Sequence, residues 1–266
     1  MKRWLLSSLL LLVAGTAAAQ DLASIFEPLH GTFVLYDRNA GRYTRYAEAR
    51  AAERFSPKST FKIANSLIGL ETGVIRDANH VFVYDRERNP PQESWNTEPF
   101  LHWPHDQTLR SAIRYSVFWY YQELARRVGM TRMKKWVTRL GYGNAAVGDT
   151  VDRFWVDGSL RISANEQVEF LRKFHAGKLP VSPRTTKIVK EILLLEETPQ
   201  WRLSGKTGGG SIRDGVLIGW FVGYVETRDN VYFFATHIEG ESYAAIRDPR
   251  VAATKEALRR LGVLAE

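Results

Sequence analysis

The sequence contains no cysteine among its 266 residues. This absence excludes a disulfide framework, Cys-ligated zinc, an iron–sulfur cluster and a thiol nucleophile. Internal repeats, low-complexity tracts and obvious linkers are also lacking. No apolar run, including that of residues 4–13, reaches the roughly 20 residues that a membrane span needs. With 44% hydrophobic and 25% charged residues, the chain has the composition of an ordinary globular protein.

The N-terminus has the pattern of a secretory signal. Lys2 and Arg3 precede the apolar run, and small residues follow it to an Ala-x-Ala ending at Ala19. We predict a signal peptide over residues 1–19, a mature protein over residues 20–266, and a periplasmic location with no membrane attachment after cleavage. The formal net charge of +8 would suit a nucleic-acid partner. Because an exported protein rarely meets DNA or RNA, we interpret the excess of arginine as a solvated surface.

The order of the predicted elements indicates one α+β domain. Period-two alternation predicts strands near both ends of the chain, at residues 32–36, 42–46, 201–206, 217–226 and 231–238. Helical periodicity predicts helices at residues 59–71, 109–128, 130–140, 165–174, 183–195 and 248–261. We therefore expect an antiparallel sheet of five to seven strands flanked by terminal helices, with an inserted helical subdomain. The sheet lobe would span about 25–58 and 200–266, the helical lobe about 59–199, and the site would lie in the cleft between them.

Ser59 and Lys62 form an S-x-x-K motif at the start of the first predicted helix. Residues three apart lie on one face of a helix, so the amine can reach the hydroxyl. Unpaired backbone N–H groups at a helix start can also stabilise a developing oxyanion. Taken alone the motif is weak, because a helix cap followed by a surface lysine has the same sequence.

Lys206, Thr207 and Gly208 form a second motif at the end of a predicted strand, followed by Gly209. A lysine and a hydroxyl beside a glycine-rich turn can present a cation and backbone donors to an anionic substrate. The alternative is a surface strand that ends in a glycine turn.

A metal site is not expected from the histidines. His102 and His105 are three residues apart, but Pro104 lies between them and no acidic partner is evident in the sequence. We interpret this segment as a surface loop and expect no metal.

The two motifs, in this order, resemble those of the serine β-lactamases and penicillin-binding proteins. The superfamily's S-D-N motif is absent, and Tyr115-Ser116-Val117-Phe118 stands in its place within a predicted helix. This segment resembles the S-x-V motif of the class D β-lactamases. Further similarity extends over about residues 31–261, and it includes Tyr142-Gly143-Asn144, Phe154-Trp155-Val156-Asp157-Gly158 and Gly219-Trp220-Phe221-Val222-Gly223.

The resemblance implies roles for the reacting groups. Ser59 would be the nucleophile that becomes an ester. Lys62 would be the base after its neutral amine takes up CO2 to form a carbamate, with no other cofactor. Trp155 would hold that carbamate through its indole N–H. Ser116 would relay a proton to the leaving nitrogen with Lys206 nearby, and the backbone N–H groups of Ser59 and Gly209 would form the oxyanion hole.

The resemblance also implies how a β-lactam would bind. Its carboxylate would be held by Lys206, Thr207 and Arg250, although Arg247 is close enough in sequence to compete for this role. Trp103 would line the end of the pocket that receives the substrate side chain.

The chain departs from the family pattern at three positions. Phe118 replaces the usual Val beside the lysine, Val156 replaces Leu, and Gly209 stands where a bulky residue is common. The first change could crowd the carbamate, and the last could widen the cleft.

Three functions remain open at this point. The first is an exported hydrolase, monomeric or homodimeric, that opens the β-lactam ring of penicillins. The second is a β-lactam sensor or acyl-trapping protein in which the ester persists. The third is a peptidoglycan transpeptidase or carboxypeptidase, which the absence of S-D-N disfavours.

Overall fold

The computed structural model describes residues 22–264, so the predicted signal peptide lies outside the described residues. Six strands form one antiparallel sheet in the order β2-β1-β8-β7-β6-β5, and two short strands pair separately. The strands are β1 (Thr32–Asp37), β2 (Arg42–Tyr46), β3 (Val81–Phe82), β4 (Gln107–Thr108), β5 (Leu194–Glu197), β6 (Trp201–Arg213), β7 (Val216–Thr227) and β8 (Val231–Gly240).

Most of the helices lie between β2 and β5 in the chain. These are α1 (Glu48–Ala52), α2 (Lys62–Glu71), α3 (Leu109–Arg114), α4 (Phe118–Val128), α5 (Met130–Leu140), α6 (Ala164–His175) and α7 (Pro183–Ile192). The helices α8 (Tyr243–Arg247) and α9 (Pro249–Arg260) follow β8. Short 3-10 turns form at Glu27–Leu29, Lys58–Phe61, Glu93–Asn96 and Phe100–His102. Within residues 22–264, no helix is long and apolar enough to cross a membrane.

The sheet is a central layer with apolar side chains on both faces. Along β7, Trp220 and Val222 pack toward the helical lobe, whereas Phe221 and Val225 pack toward the terminal elements and α9. Successive side chains of a strand point to opposite faces, so a strand buried on both sides needs a nearly continuous apolar run. The predicted α+β fold, with an antiparallel sheet of five to seven strands, is confirmed.

Two predicted helices are wrong in extent. The predicted helix at residues 109–128 is two helices, α3 and α4, separated at Ser116, whose φ is +56°. The indole of Trp103 donates to the Tyr115 carbonyl, and Lys62 donates to the Ser116 carbonyl. These side chains take acceptors that a continuous helix would use, and L-residues rarely adopt a left-handed conformation inside a helix.

The predicted helix at residues 183–195 ends at Ile192, and the following residues form β5. The Leu193 carbonyl accepts a hydrogen bond from the Gly205 N–H, and β5 then pairs with β6. Pairing with an existing sheet edge therefore overrides the helical periodicity of this segment.

Strand β6 was predicted to end at Lys206, but it continues to Arg213. Its partner β7 pairs with it throughout, including opposite Gly208, Gly209 and Gly210. On the other side, β5 pairs with β6 only as far as Ser204. The segment that follows Ser204 therefore has one paired side and one side that faces the helical lobe.

Candidate active site

Ser59 and Lys62 meet at the start of α2. Ser59 lies in the 3-10 turn Lys58–Phe61, and Lys62 is the first residue of the helix. The Nζ atom of Lys62 is 2.7 Å from the Ser59 Oγ atom. Lys62 is only 1% exposed, which excludes the alternative of a surface lysine behind a helix cap.

Burial holds the pKa of the Lys62 ammonium well below its ordinary value, and the nearby charge of Lys206 lowers it further. Desolvation disfavours the charged form of an amine, so burial shifts Lys62 toward its neutral form. A neutral amine within hydrogen-bond distance of a hydroxyl can accept its proton.

The break between α3 and α4 directs Ser116 toward the same lysine. Its Oγ atom is 3.2 Å from Lys62 Nζ, and its carbonyl oxygen is 3.0 Å from the same atom. The left-handed backbone of Ser116 costs about 1–2 kcal/mol relative to a helical conformation, so the surrounding contacts must hold it. Two hydroxyls and one amine thus form a short chain along which a proton can move.

Strand β6 brings its lysine and glycines against Ser59. A Cβ atom on Gly208 would lie 2.9 Å from the Pro57 carbonyl oxygen and 3.1 Å from the Ser59 nitrogen. Only glycine therefore allows this approach without a shift. Lys206 lies two residues before Gly208 in the same strand and is buried. Its Nζ atom donates to the Thr207 carbonyl over 3.0 Å.

Burial lowers the pKa of Lys206 to about 7, and the charge of Arg250 adds to this effect. Lys206 therefore changes its charge near neutral pH, which suits a group that meets an anion and also passes a proton.

Arg250 on α9 is the buried arginine of the sheet lobe. Its side chain is 5% exposed, and Nη1 donates to the Gly208 carbonyl over 2.6 Å. A Cβ atom on Gly209 would lie 2.6 Å from Nη1, so the absence of a side chain here leaves room for the guanidinium. The competing residue, Arg247, is exposed and pairs with Asp248 over 2.7 Å.

These groups line one cavity of about 660 Å³ between the lobes. The predicted site residues on its walls are Ser59, Lys62, Trp103, Ser116, Phe118, Lys206, Thr207, Gly209 and Arg250. Val156 also lines it. Trp155 is the exception among the predicted site residues, because its side chain is fully buried behind the wall.

The surroundings of Trp155 fit the carbamate that the family resemblance implies. Its ring lies 6.1 Å from the Phe118 ring, and Phe118 in turn lies 6.0 Å from Lys62 Nζ. The indole Nε1 atom is buried and has no hydrogen-bond partner among residues 22–264. Buried donors normally have an acceptor, so this N–H is available to an acidic group on Lys62.

Sequence reasoning missed the role of Lys58. This lysine is buried beside Ser59, and its Nζ atom donates to the Val156 carbonyl over 2.7 Å. This hydrogen bond joins the 3-10 turn that contains Ser59 to the segment that contains Trp155. Its φ of +51° could not be foreseen from the sequence.

Sequence reasoning also missed the cavity's outer wall. Phe100 and Tyr243 face each other there with ring centroids 5.7 Å apart, and Arg114 and Arg153 lie on the helical-lobe wall. Arg114 is two residues before Ser116, and Arg153 is two residues before Trp155. This proximity to predicted site residues is the sequence signal that could have indicated the two arginines.

The two histidines of residues 102–105 do not form a metal site. His102 stacks on Tyr115 and pairs with Glu98 over 3.0 Å, an acidic partner that was not evident from the sequence. Among the residues that the structure describes, no cluster of three or more His, Cys, Asp or Glu side chains could hold a metal.

Comparisons with known proteins agree with this geometry. Residues 31–258 match the penicillin-binding protein transpeptidase domain family. The chain is 41% identical over 230 residues to the β-lactamase OXA-48 of Klebsiella pneumoniae, which covers 86% of this chain and 83% of that protein.

Solved structures agree as well. The class D β-lactamase YbXI from Nostoc superposes with a TM-score of 0.84 at 40% identity, over 91% of this chain and 99% of that one. The C-terminal domain of the Bacillus licheniformis BlaR penicillin receptor superposes with a TM-score of 0.81 at 34% identity, over 92% and 96% of the two chains. The predicted family is thereby confirmed: the chain belongs to the class D β-lactamases, a family of hydrolases within the penicillin-binding transpeptidase-domain proteins.

Proposed function

We propose that this protein hydrolyses β-lactams through an ester on Ser59. The observation that carries the proposal is the 2.7 Å contact between Ser59 Oγ and the Nζ atom of Lys62, whose pKa burial lowers. A serine hydroxyl is a weak nucleophile until an adjacent base removes its proton. The family relationship adds the substrate class, since OXA-48 and the Nostoc protein are both named as β-lactamases.

In the acylation step, the Ser59 proton passes to the Lys62 side chain while Oγ attacks the β-lactam carbonyl carbon. The backbone N–H groups of Ser59 and Gly209 donate to the resulting oxyanion. The carbon–nitrogen bond of the ring then breaks, and the nitrogen receives a proton through Ser116 Oγ, which lies 3.2 Å from Lys62 Nζ. Lys206 and Arg250 hold the substrate carboxylate, and Thr207 donates its hydroxyl to it.

In the deacylation step, water attacks the ester carbonyl and gives its proton to the Lys62 side chain. The bond between the carbon and Ser59 Oγ breaks, and the hydroxyl regains a proton. A carbamate on Lys62 would supply a carboxylate base for both steps, and Trp155 Nε1 is the buried donor available to hold it. Phe118 and Val156 line the cavity where the water must enter.

The Ser59 ester is tested by mass spectrometry of the whole protein mixed with benzylpenicillin. We expect an adduct with the mass of the complete penicillin, mapped to the peptide that contains Ser59, and its disappearance once penicillin is exhausted. Ser59→Ala should form no adduct, whereas Ser211→Ala, which removes an exposed hydroxyl farther along β6, should behave as the parent. An adduct in Ser59→Ala would overturn the assignment of the nucleophile.

The second candidate is a β-lactam sensor or trap in which the ester persists. Two observations favour it: the likeness to the BlaR receptor domain, and the Phe118 ring beside Lys62, which could obstruct the deacylating water. An adduct on Ser59 that remains for hours after penicillin is removed would select this function.

Export to the periplasm remains part of the proposal, supported by the signal pattern of residues 1–19. N-terminal sequencing of protein recovered from the periplasm should begin at Gln20. A chain that stays in the cytoplasm and begins at Met1 would contradict it.

A further inference from the structure

Two arginines on the helical-lobe wall of the cavity have no assigned role. Arg114 and Arg153 both line it and are both exposed. Neither side chain makes a hydrogen bond, an ion pair or a ring contact with any residue of the described range 22–264. The neighbouring carboxylate of Asp152 is already engaged by Arg126 over 2.5 Å.

The other charges at the cavity rim are paired. Arg247 is bound to Asp248 over 2.7 Å, and Glu98 is bound to His102 over 3.0 Å. An arginine that is paired within the protein must give up that partner to bind a ligand. Arg114 and Arg153 carry no such cost, so they are the guanidinium groups of this wall that are free to meet an anion.

The two arginines and the proposed carboxylate-binding residues belong to different lobes. Arg114 is in the last turn of α3, two residues before Ser116, and Arg153 is two residues before Trp155. Lys206 and Arg250, by contrast, belong to β6 and α9 in the sheet lobe. The ring carboxylate and the acylamino side chain of a penicillin leave opposite ends of its bicyclic nucleus. A penicillin whose carboxylate is held by the sheet lobe therefore directs its side chain toward the helical lobe.

We infer that Arg114 and Arg153 form a second anion subsite, which favours β-lactams whose acyl side chain carries a carboxylate or sulfonate. The inference rests on the proposed function and adds the substrate class to it. A guanidinium binds carboxylates and sulfonates through its planar array of N–H donors. Because both arginines are exposed, water and salt screen their attraction, and a contribution of a few-fold in rate from each is the expected size.

The test compares benzylpenicillin with its α-carboxy derivative, carbenicillin. The quantity measured is the second-order rate of Ser59 acylation, obtained by competition with a fluorescent penicillin, because it applies whether or not the ester turns over. The ratio of the carbenicillin rate to the benzylpenicillin rate cancels effects common to both substrates. We expect this ratio to fall about two- to threefold in Arg114→Gln and in Arg153→Gln, and about fivefold or more in the double variant.

The matched control is Arg228→Gln, which removes the same charge from the exposed turn between β7 and β8. Its ratio should equal that of the parent. Raising NaCl from 50 to 500 mM should lower the ratio in the parent and leave it unchanged in the double variant. The salt experiment needs only the parent protein, so a ratio that salt does not change would overturn the inference even if a variant does not fold.

A ratio in the double variant equal to that of the parent and of Arg228→Gln would overturn the inference, and so would a parent ratio that salt does not change. Failure of benzylpenicillin to acylate Ser59 would instead overturn the proposed function.

Discussion

The Nζ atom of Lys62 lies 6.0 Å from the centroid of the Phe118 ring and 5.5 Å from that of Tyr121. Two effects on the protonation of this amine oppose each other. The ring faces favour an ammonium by about 1–2 kcal/mol at most at such distances. Full burial of an amine disfavours the ammonium by several times that amount. Burial is the larger of the two effects, so the pKa of Lys62 is lowered, and the charge of Lys206 lowers it further.

Phe118→Val should speed deacylation more than acylation. The phenyl ring fills space beside Lys62, and removing excess volume from a close-packed wall relieves about 1–3 kcal/mol of crowding. If about half of that crowding is felt by the attacking water, deacylation rises about two- to tenfold. The rate is measured as loss of a labelled penicillin from the protein after a chase with unlabelled substrate. Phe118→Leu, of intermediate volume, should give an intermediate rate, and equal rates in all three proteins would refute the crowding argument.

Bicarbonate should stabilise the parent protein more than Trp155→Phe. A group that binds only the folded state adds to the free energy of unfolding, and a gain of about 1 kcal/mol raises Tm by about 2–4 °C in a chain of this size. The phenylalanine keeps most of the packing but lacks the indole N–H, whose Nε1 atom has no partner within residues 22–264. Tm is compared in bicarbonate and in NaCl of equal ionic strength. The same bicarbonate shift in both proteins would show that Trp155 does not hold the carbamate.

The second-order rate constant kcat/KM for a penicillin should fall as pH rises through about 7. Burial and Arg250 lower the pKa of Lys206 to about 7, so its ammonium is present below this pH and is lost above it. This loss removes one of the two cations, Lys206 and Arg250, that are proposed to hold the substrate carboxylate. The pH dependence of kcat/KM reports pKa values of the free enzyme. Lys206→Arg stays charged, so its profile should lack this limb. A limb near pH 7 that persists in Lys206→Arg belongs to another group.

Ser116→Gly should be more stable to unfolding than Ser116→Ala. Both changes remove the hydroxyl, so both should lose acylation to a similar extent. At a φ of +56°, alanine retains the left-handed penalty of about 1–2 kcal/mol, whereas glycine avoids it and returns about 0.5–1 kcal/mol through its freedom in the unfolded state. The expected difference in the free energy of unfolding is about 0.5–1 kcal/mol, measured by urea denaturation. Greater stability in Ser116→Ala would mean that the backbone here is not strained.

The parts of the fold set by local spacing were predictable from the sequence. Ser59 and Lys62 are three residues apart at a helix start, and local geometry alone brings them together. The patterns of residues 217–226 and 231–238 likewise predicted β7 and β8 close to their observed bounds.

The parts set by distant contacts were not predictable in this way. The break at Ser116 depends on donors from Trp103 and Lys62, and the periodicity of residues 109–128 contains no sign of it. The glycines of β6 are poor strand formers, yet pairing with β7 keeps them extended. The indole N–H of Trp155, which has no partner within residues 22–264, and the buried guanidinium of Arg250 likewise follow from packing between segments that are remote in sequence.

The most direct test of catalytic turnover is to count product molecules per protein molecule with a chromogenic cephalosporin in excess. Ser59 is proposed to form an ester that Lys62 then helps water to cleave, so one protein molecule acts repeatedly. We expect product to accumulate far beyond one equivalent in the parent protein and not to form in Ser59→Ala. Product that stops at one equivalent in the parent would contradict hydrolysis and identify an acyl-trapping protein.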